Sequence, residues 1–393
     1  MTGGSNVERI QEDPEFRSWL ERLIEDKVEE ELRRQSERQF LESLALISVR
    51  PNDPLANRIA HHLGKSLVDA ELLTFLDGEK KTVIKENLRG KHVFVIATVG
   101  DEEDPDVSLA NTCKYISALR RTCKVANINL VAPCLWYQAQ DKTHARREPI
   151  TVRDVADDLT RRGMDHIMVV ELHAEQIEIA FDSFDHMKMA PIFADYLSRR
   201  FSGCESELVL IAPDDGGVRN REELQKNLDP KLIASDGGGL ASVHQLRKRD
   251  ATDEKEELEF VGHVKGKTGI ILDDMMRSGS TMFQAARAAK KGGAKRVIGL
   301  ATHFYGVGAA SFDCKLANSD LDELVVSNTR PDVTARIQAS PELRSKVTVL
   351  DVAPFLARVI RNYETGGTIK DILYRLSEKN ALYDVIHGAE PDA

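Results

Sequence analysis

The chain has 393 residues, of which 41% are hydrophobic, 30% charged and 6% aromatic. This composition is typical of a folded protein with more than one core, and it excludes a mainly disordered chain. The formal net charge of -10 disfavours sequence-independent binding to nucleic acid or to an anionic membrane. The sequence has no apolar run of membrane-spanning length and does not open with a secretory signal pattern. We therefore expect a cytoplasmic protein with neither nucleic acid nor membrane as partner.

Five cysteines are scattered along the chain, mostly within apolar patterns. They are Cys113, Cys123, Cys134, Cys204 and Cys314. Their odd number and the lack of metal-site spacing favour buried free thiols in a reducing compartment over disulfides or a zinc site.

The first predicted element is helical. From about Asp13 to Leu46, apolar residues recur at helical spacing, with Asp13 as a candidate cap and Pro14 in the first turn. The polar stretch RRQSERQ interrupts the apolar stripe, which favours a bent helix or two helices over a long coiled coil. We assign residues 1–43 to an N-terminal helical extension.

From residue 44 onward, short apolar runs alternate with amphipathic helical segments. The predicted strands are LALISV, HVFVIAT, NINLVAP, HIMVVEL, LVLIAP, GIILDD, VIGLAT, LVVSN and VTVLDVA. The predicted helices are SLANTCKYISALRR, TVRDVADDLTRRG, APIFADYLSRRF, TMFQAARAAKKGG and the tail FLARVIRNYETGGTIKDILYRL. Strands without polar alternation indicate a parallel sheet that is covered on both faces.

A strand, helix and strand in the first half have the same order as a set in the second half. HVFVIAT and NINLVAP flank one helix, and TGIILDD and RVIGLAT flank another. The sequence therefore predicts two similar α/β domains with central parallel sheets, over residues 44–188 and 189–393.

The segment IILDDMMRSGST, residues 270–281, carries the clearest chemistry. Asp273 and Asp274 follow an apolar run, where the carboxyl end of a parallel strand can present ligands. Two adjacent acids can bind ribose hydroxyls or a metal. A polar loop follows and offers hydroxyls and backbone N–H groups to a phosphate; its residues are Ser278, Gly279, Ser280 and Thr281. The alternative is a capped turn in which Asp and Ser only form local hydrogen bonds.

This segment resembles the phosphoribosyl-pyrophosphate loop of the type I phosphoribosyltransferase fold. Further motifs in order, from about Ser48 to Leu376, resemble those of the ribose-phosphate pyrophosphokinase family. They are FLDGE at 75–79, YQAQDKTHARREPIT at 137–151, ELHA at 171–174, APDDGG at 212–217, ATH at 301–303 and LDELVVSNT at 321–329.

The resemblance implies transfer of the β,γ-pyrophosphoryl group of Mg-ATP to the anomeric hydroxyl of ribose 5-phosphate. Asp273 and Asp274 would bind the ribose hydroxyls, residues 278–281 the 5-phosphate, and His173 and Asp214 the Mg²⁺ ion. The residues implied for ATP binding are Phe75, Asp77, Glu79, Gln140 and Asp141. The first three would complete the site of a neighbouring subunit, so the resemblance implies a homo-oligomer, with a hexamer as the specific candidate.

Three positions depart from the family pattern. Where the family has a Lys and an Arg two residues apart on a loop over the phosphates, this chain has Gln245 and Arg247. The family's ATP-contacting Arg is Ala139, and the third acid of its sugar-phosphate loop is Arg277. The candidate catalytic cations are therefore Arg247 and its neighbours Lys248 and Arg249, followed by an acidic run that we expect to be a solvated face.

These departures leave two alternatives beside an active synthetase. Gln245 and Ala139 favour a non-catalytic paralogue that regulates an active enzyme. Arg277 favours a pyrophosphoryl transferase with a more anionic ribose-phosphate acceptor, or else an ion pair with Asp273 or Asp274 in a site no longer used.

Overall fold

The computed structural model describes most of the chain beyond the N-terminal extension. It covers residues 38–100, 103–143, 145–204, 207–214, 216–235, 239–250, 253–363 and 384–387, with isolated positions 18, 27, 28, 31, 35 and 36. Side chains are described for all of these except residues 244–250, 253–259, 309–310 and 384–387.

The first half folds around a parallel sheet of five strands in the order β1-β4-β5-β6-β7. Its strands are β1 Leu44–Ser48, β4 His92–Ile96, β5 Asn127–Ala132, β6 His166–Val170 and β7 Phe184–Met187. The connecting helices are α1 Pro54–His62, α2 Pro105–Ala118 and α3 Thr151–Arg162. A separate antiparallel hairpin consists of β2 Ala70–Thr74 and β3 Lys80–Ile84.

The second half has an eight-stranded sheet in the order β10-β9-β8-β11-β12-β13-β14-β15. Its strands are β8 Leu208–Ala212, β9 Leu240–Asp250, β10 Asp253–Val261, β11 Thr268–Met276, β12 Arg296–Phe304, β13 Glu323–Ser327, β14 Val347–Asp351 and β15 Asp384–His387. Its helices are α4 Ala190–Arg200, α5 Val218–Asn227, α6 Ser280–Lys291, α7 Ala309–Ala317, α8 Val333–Ala339, α9 Pro341–Lys346 and α10 Ala353–Tyr363. All neighbouring pairs from β9 to β14 are parallel, and the edge strands β10 and β15 are antiparallel to their neighbours.

The prediction of an α/β protein with two central parallel sheets is confirmed. Every predicted strand is present, and the two repeated units form adjacent parallel pairs, β4 with β5 and β11 with β12. The limits of the two domains stay a prediction. A buried apolar cluster joins the two halves, because it includes Phe94 of β4, Phe193 of α4 and Leu350 of β14.

Several expectations were wrong in detail. The helix was predicted to extend to Leu46, but the helical residues end at 43 and β1 begins at Leu44. The acidic run after Arg249 was expected to be a solvated, mobile face, but residues 253–259 belong to β10, which pairs with β9. The solvation of this run stays a prediction. Most of the N-terminal extension and the tail after residue 363 lie outside the described residues. Of the cysteines, Cys113 and Cys134 are buried as expected, whereas Cys204 and Cys314 are exposed.

No described helix has the length and apolarity needed to cross a bilayer.

Candidate active site

A cavity of about 340 Å³ is lined by residues from both halves of the chain. Its lining includes four acidic or imidazole side chains from three separate parts of the sequence: His173, Asp214, and the adjacent Asp273 and Asp274. His173 follows β6, Asp214 follows β8, and the two aspartates lie near the end of β11. Strand β11 continues to Met276, so the aspartates lie within the strand rather than after it. The carboxyl ends of parallel strands thus bring the four residues together.

His173 and Asp274 form the central contact across the two halves. The Nδ1 atom of His173 lies 2.7 Å from Oδ2 of Asp274. This hydrogen bond raises the pKa of His173 above its ordinary value. Burial acts to raise the pKa of Asp274, but the hydrogen bonds with His173 and Asp273, together with the charges of His173 and His303, outweigh it and hold that pKa below the usual range. The contact therefore favours the protonated form of His173 and the ionised form of Asp274.

The stability that the His173–Asp274 pair contributes should decrease at both high and low pH. The raised pKa of His173 contributes stability below the ordinary imidazole pKa, and that contribution is lost as the pH rises through the raised value. The lowered pKa of Asp274 contributes above the ordinary carboxyl pKa and is lost as the pH falls through the lowered value. Both contributions are complete between about pH 4 and pH 6.5.

Removing the carboxylate charge should lower the pKa of His173. In Asp274→Asn we expect the His173 imidazole to titrate at lower pH than in the wild type, measured by NMR of the ring resonances. Asp214→Asn is the matched control, since Asp214 lines the same cavity but accepts a hydrogen bond from the Gly217 backbone N–H at 2.9 Å. Equal titration of His173 in wild type and Asp274→Asn would contradict the pairing.

The pKa of Asp273 is shifted in the opposite direction to that of Asp274. Burial and the charges of Asp274 and Asp214 raise the pKa of Asp273 well above the usual carboxyl range. Its Oδ1 accepts a hydrogen bond from the Asp274 backbone N–H at 2.9 Å. Three carboxylates around one cavity repel each other, so the site favours a cation or a hydroxyl donor between them.

Residues 278–281, called the 278–281 loop below, line the same cavity; Ser278 and Gly279 precede α6, and Ser280 and Thr281 form its first turn. Gly279 adopts a positive φ of 75°, and a Cβ atom there would lie 2.5 Å from the Phe283 ring. The hydroxyls of Ser278 and Ser280 are 3.1 Å apart. Backbone N–H groups at a helix N-terminus together with these hydroxyls form a suitable phosphate site.

Gln140, Asp141 and Arg277 lie close to this cavity. Arg277 lines it directly, and Asp141 contributes to the raised pKa of His173. Gln140 lines a second cavity of about 340 Å³, which shares Ala139, Met275 and Arg277 with the first. Among the described residues, Arg277 makes no ion pair with Asp273 or Asp274, so the ion-pair explanation for Arg277 has no support.

The structure does not bring Phe75, Asp77 and Glu79 into either of these cavities. They form the turn of the β2–β3 hairpin, where the Phe75 N–H donates to the Glu79 carbonyl at 2.8 Å and Asp77 accepts from the Glu79 N–H at 3.0 Å. Phe75 is 51% exposed and Leu76 is fully exposed. Within one chain, the hairpin therefore presents an apolar tip to solvent.

The candidate catalytic cations belong to a strand instead of a loop. Arg247, Lys248 and Arg249 lie in β9, and their backbones pair with Glu256, Lys255 and Glu254 of β10. Their side chains are outside the described part of the structure, so their catalytic roles stay a prediction.

Sequence reasoning missed Tyr305 and Arg330, which line the second cavity. Tyr305 follows β12 and Arg330 follows β13 closely, so both occupy the edge of the sheet at which ligands bind. Their positions just after predicted strands could have indicated a binding role, but neither Tyr305 nor Arg330 belongs to a recognisable local motif.

Comparison with known proteins agrees with this geometry. Residues 44–163 match the model of the N-terminal domain of ribose phosphate pyrophosphokinase, and residues 224–375 match the phosphoribosyl synthetase-associated domain. The ribose-phosphate pyrophosphokinase of Streptomyces coelicolor is 33% identical over 330 residues, which cover 84% of this chain and 95% of the relative. This chain belongs to the ribose-phosphate pyrophosphokinase family.

Other members support the same assignment. The ribose-phosphate pyrophosphokinase of Aquifex aeolicus is 30% identical over 84% of this chain and 99% of its own length. The crystal structure of phosphoribosylpyrophosphate synthetase from Mycobacterium smegmatis superposes with a TM-score of 0.70 at 32% identity, over 82% of this chain and 99% of that one. The similarity to the ribose-phosphate pyrophosphokinase family therefore covers both sheets and the cavity between them.

Proposed function

We propose that this chain transfers the β,γ-pyrophosphoryl group of ATP to the anomeric hydroxyl of ribose 5-phosphate, giving phosphoribosyl pyrophosphate and AMP. The observation that supports this most directly is the shared cavity of His173, Asp214, Asp273 and Asp274 with the loop of residues 278–281. A sugar phosphate needs both parts, because the loop suits its phosphate and the carboxylates suit its hydroxyls.

The donor side of the proposal requires Mg²⁺. Among the described residues, no group of three or more His, Cys, Asp or Glu side chains is arranged to hold a metal by itself. This fits Mg²⁺, which is usually bound by one or two carboxylates and takes its remaining ligands from water and substrate phosphates. We assign Asp214 and the Nε2 atom of His173 to this role, and His173 would bind the ion as a neutral imidazole whose Nδ1–H donates to Asp274. When bound, the ion would neutralise charge on the ATP phosphates.

The protein's own part in the reaction is positioning. The carboxylates of Asp273 and Asp274 would orient the ribose, and the 278–281 loop would hold its phosphate, so that the anomeric oxygen faces the β-phosphate of ATP. Phosphoryl-type transfer depends mainly on such alignment and on charge neutralisation. Arg247, Lys248 and Arg249 are the proposed cations for the developing charge.

Product analysis tests the proposed reaction. With Mg-ATP and ribose 5-phosphate, we expect AMP to form in amounts equal to the pyrophosphorylated sugar, as measured by ion-exchange chromatography. Asp214→Asn should need more Mg²⁺ for half-maximal AMP formation, whereas Asp229→Asn, at an exposed helix cap away from the cavity, should not. Formation of ADP, or no sugar-dependent product, would count against the proposal.

We also propose that the chain forms a homo-oligomer through the β2–β3 hairpin. The exposed Phe75 and Leu76 support this, because large apolar side chains at a hairpin tip gain stability when a neighbour covers them. Light scattering at micromolar concentration should show an oligomer, with a hexamer as the specific expectation. The double variant Phe75→Ser, Leu76→Ser should shift the mass downward, and a wild-type monomer would contradict the proposal.

A further inference from the structure

A second cavity lies beside the cavity of His173, Asp214, Asp273 and Asp274, here called the ribose-phosphate cavity, and shares part of its lining. The two have Ala139, Met275 and Arg277 in common. The second cavity has a volume of about 340 Å³, enough for a phosphate group together with part of a larger ligand. A ligand bound at the 278–281 loop could therefore extend past Arg277 into this space.

Two arginines in this cavity pack against one aromatic ring. The guanidinium carbon of Arg330 lies 4.2 Å from the centroid of the Tyr305 ring, and that of Arg277 lies 5.9 Å from it. Stacking on an aromatic face orients a guanidinium group and points its N–H donors outward in the guanidinium plane. The guanidinium groups of Arg277 and Arg330 therefore both lie near the Tyr305 ring in the second cavity.

Arg330 is built into the protein interior. It is 6% exposed, and its Nη2 donates to the carbonyl of Gly100 at 3.1 Å, across the two halves of the molecule. Tyr305 is positioned from the other side, with its hydroxyl 3.3 Å from Sγ of Cys134. Contacts with the first half thus set the positions of Arg330 and Tyr305.

In the part of the second cavity's lining that the structure describes, cationic side chains outnumber carboxylates, which favours an anion there. Among its described lining residues, Arg277 and Arg330 are cationic and Glu103 is the one carboxylate. Glu103 Oε2 already accepts a hydrogen bond from the Gly100 backbone N–H at 3.3 Å. Arg277 is exposed, and its guanidinium can turn toward either cavity.

We propose that Arg277, Arg330 and Tyr305 form a second phosphoryl-binding subsite, filled by a ligand that also occupies the ribose-phosphate cavity. The inference rests on the proposed function and refines its substrate class. The phosphoryl group can be a second phosphate on the acceptor sugar or part of the nucleotide's polyphosphate chain. Both sources place the same kind of anionic group against two guanidinium groups.

Equilibrium binding by calorimetry distinguishes the two sources without requiring turnover. The sugar arm compares ribose 5-phosphate with ribose 1,5-bisphosphate, and the nucleotide arm compares AMP with a non-hydrolysable ATP analogue and Mg²⁺. In Arg277→Gln, the affinity gained from the additional phosphates should fall by roughly tenfold or more in one arm. Loss in the sugar arm identifies an acceptor with an extra phosphate, and loss in the nucleotide arm identifies the polyphosphate chain.

The controls separate this subsite from the fold and from the proposed reaction. Arg287→Gln removes an exposed cation from α6 and should leave both affinity ratios unchanged. Arg330→Gln should repeat the loss, but Arg277→Gln carries the test alone if the buried variant does not fold. Ratios within about twofold of wild type in Arg277→Gln, or an equal loss in Arg287→Gln, would overturn the subsite. If AMP is formed in that case, the proposed function stands. If Arg277→Gln loses the affinity gained from the additional phosphates but the wild type forms no AMP, the subsite is supported and the proposed function is contradicted.

Discussion

Gln245→Lys should raise the rate of AMP formation at least tenfold, with little change in substrate affinity. In this family's pattern a lysine at that position would neutralise charge on the transferring phosphates. A cation of this kind is worth about 3 kcal/mol of barrier, or roughly a hundredfold in rate. Gln245 lies in β9, two residues before Arg247. The measurement is kcat and KM with Mg-ATP and ribose 5-phosphate.

Two other results would change the interpretation of Gln245. No gain in Gln245→Lys, together with a large loss in Lys248→Ala or Arg249→Ala, would show that the neighbouring cations already supply the charge. His244→Gln is the control within the same strand, because it tests whether any substitution in β9 alters the rate. No activity in wild type and Gln245→Lys, with tight binding to an active synthetase, would favour the regulatory paralogue.

Asp274→Asn should weaken binding of the acceptor sugar by about ten- to a hundredfold. A hydrogen bond between a hydroxyl and a charged acceptor contributes roughly 1.5 to 3 kcal/mol, and the amide retains the shape but not the charge. The substitution also removes the charged partner of His173, which lies 2.7 Å away. We therefore expect a second effect, a changed Mg²⁺ requirement, in the same variant. The measurement is the affinity for ribose 5-phosphate by calorimetry.

Asp229→Asn is the matched control for the sugar affinity, because Asp229 caps a short helix at the surface and asparagine caps equally well. Thermal unfolding of both variants checks that the fold is intact. Sugar affinity equal to wild type in Asp274→Asn would show that the two adjacent aspartates are structural.

The central sheets could be predicted because their strands have no polar alternation. Runs such as β8 and β13 are buried at every residue, which only a doubly covered sheet allows. The hairpins could not be predicted in the same way. Strand β2 is mostly exposed, and β10 is rich in glutamate, so neither carries the apolar signal of a strand.

The meeting of His173 with Asp274 followed from a general rule, since both lie at the carboxyl edge of a parallel strand. The Arg277–Tyr305–Arg330 contact had no comparable local signal. Tyr305 and Arg330 are on different strand ends, and the ring–cation geometry depends on how β12 and β13 align. A single sequence shows neither which loop residues face each other nor which face outward. The sequence likewise could not show that Phe75 lies outside the cavity, because the position of Phe75 depends on the direction in which the β2–β3 hairpin points.

The central claim is that the β- and γ-phosphates of ATP move together to the sugar. The most direct measurement is incubation of the wild-type chain with Mg²⁺, ribose 5-phosphate and ATP labelled at the β-phosphate, followed by separation of the products. The account predicts that the label appears in the sugar product, one for each AMP formed. Label that stays in ADP, or that appears only as free diphosphate regardless of sugar, would contradict it.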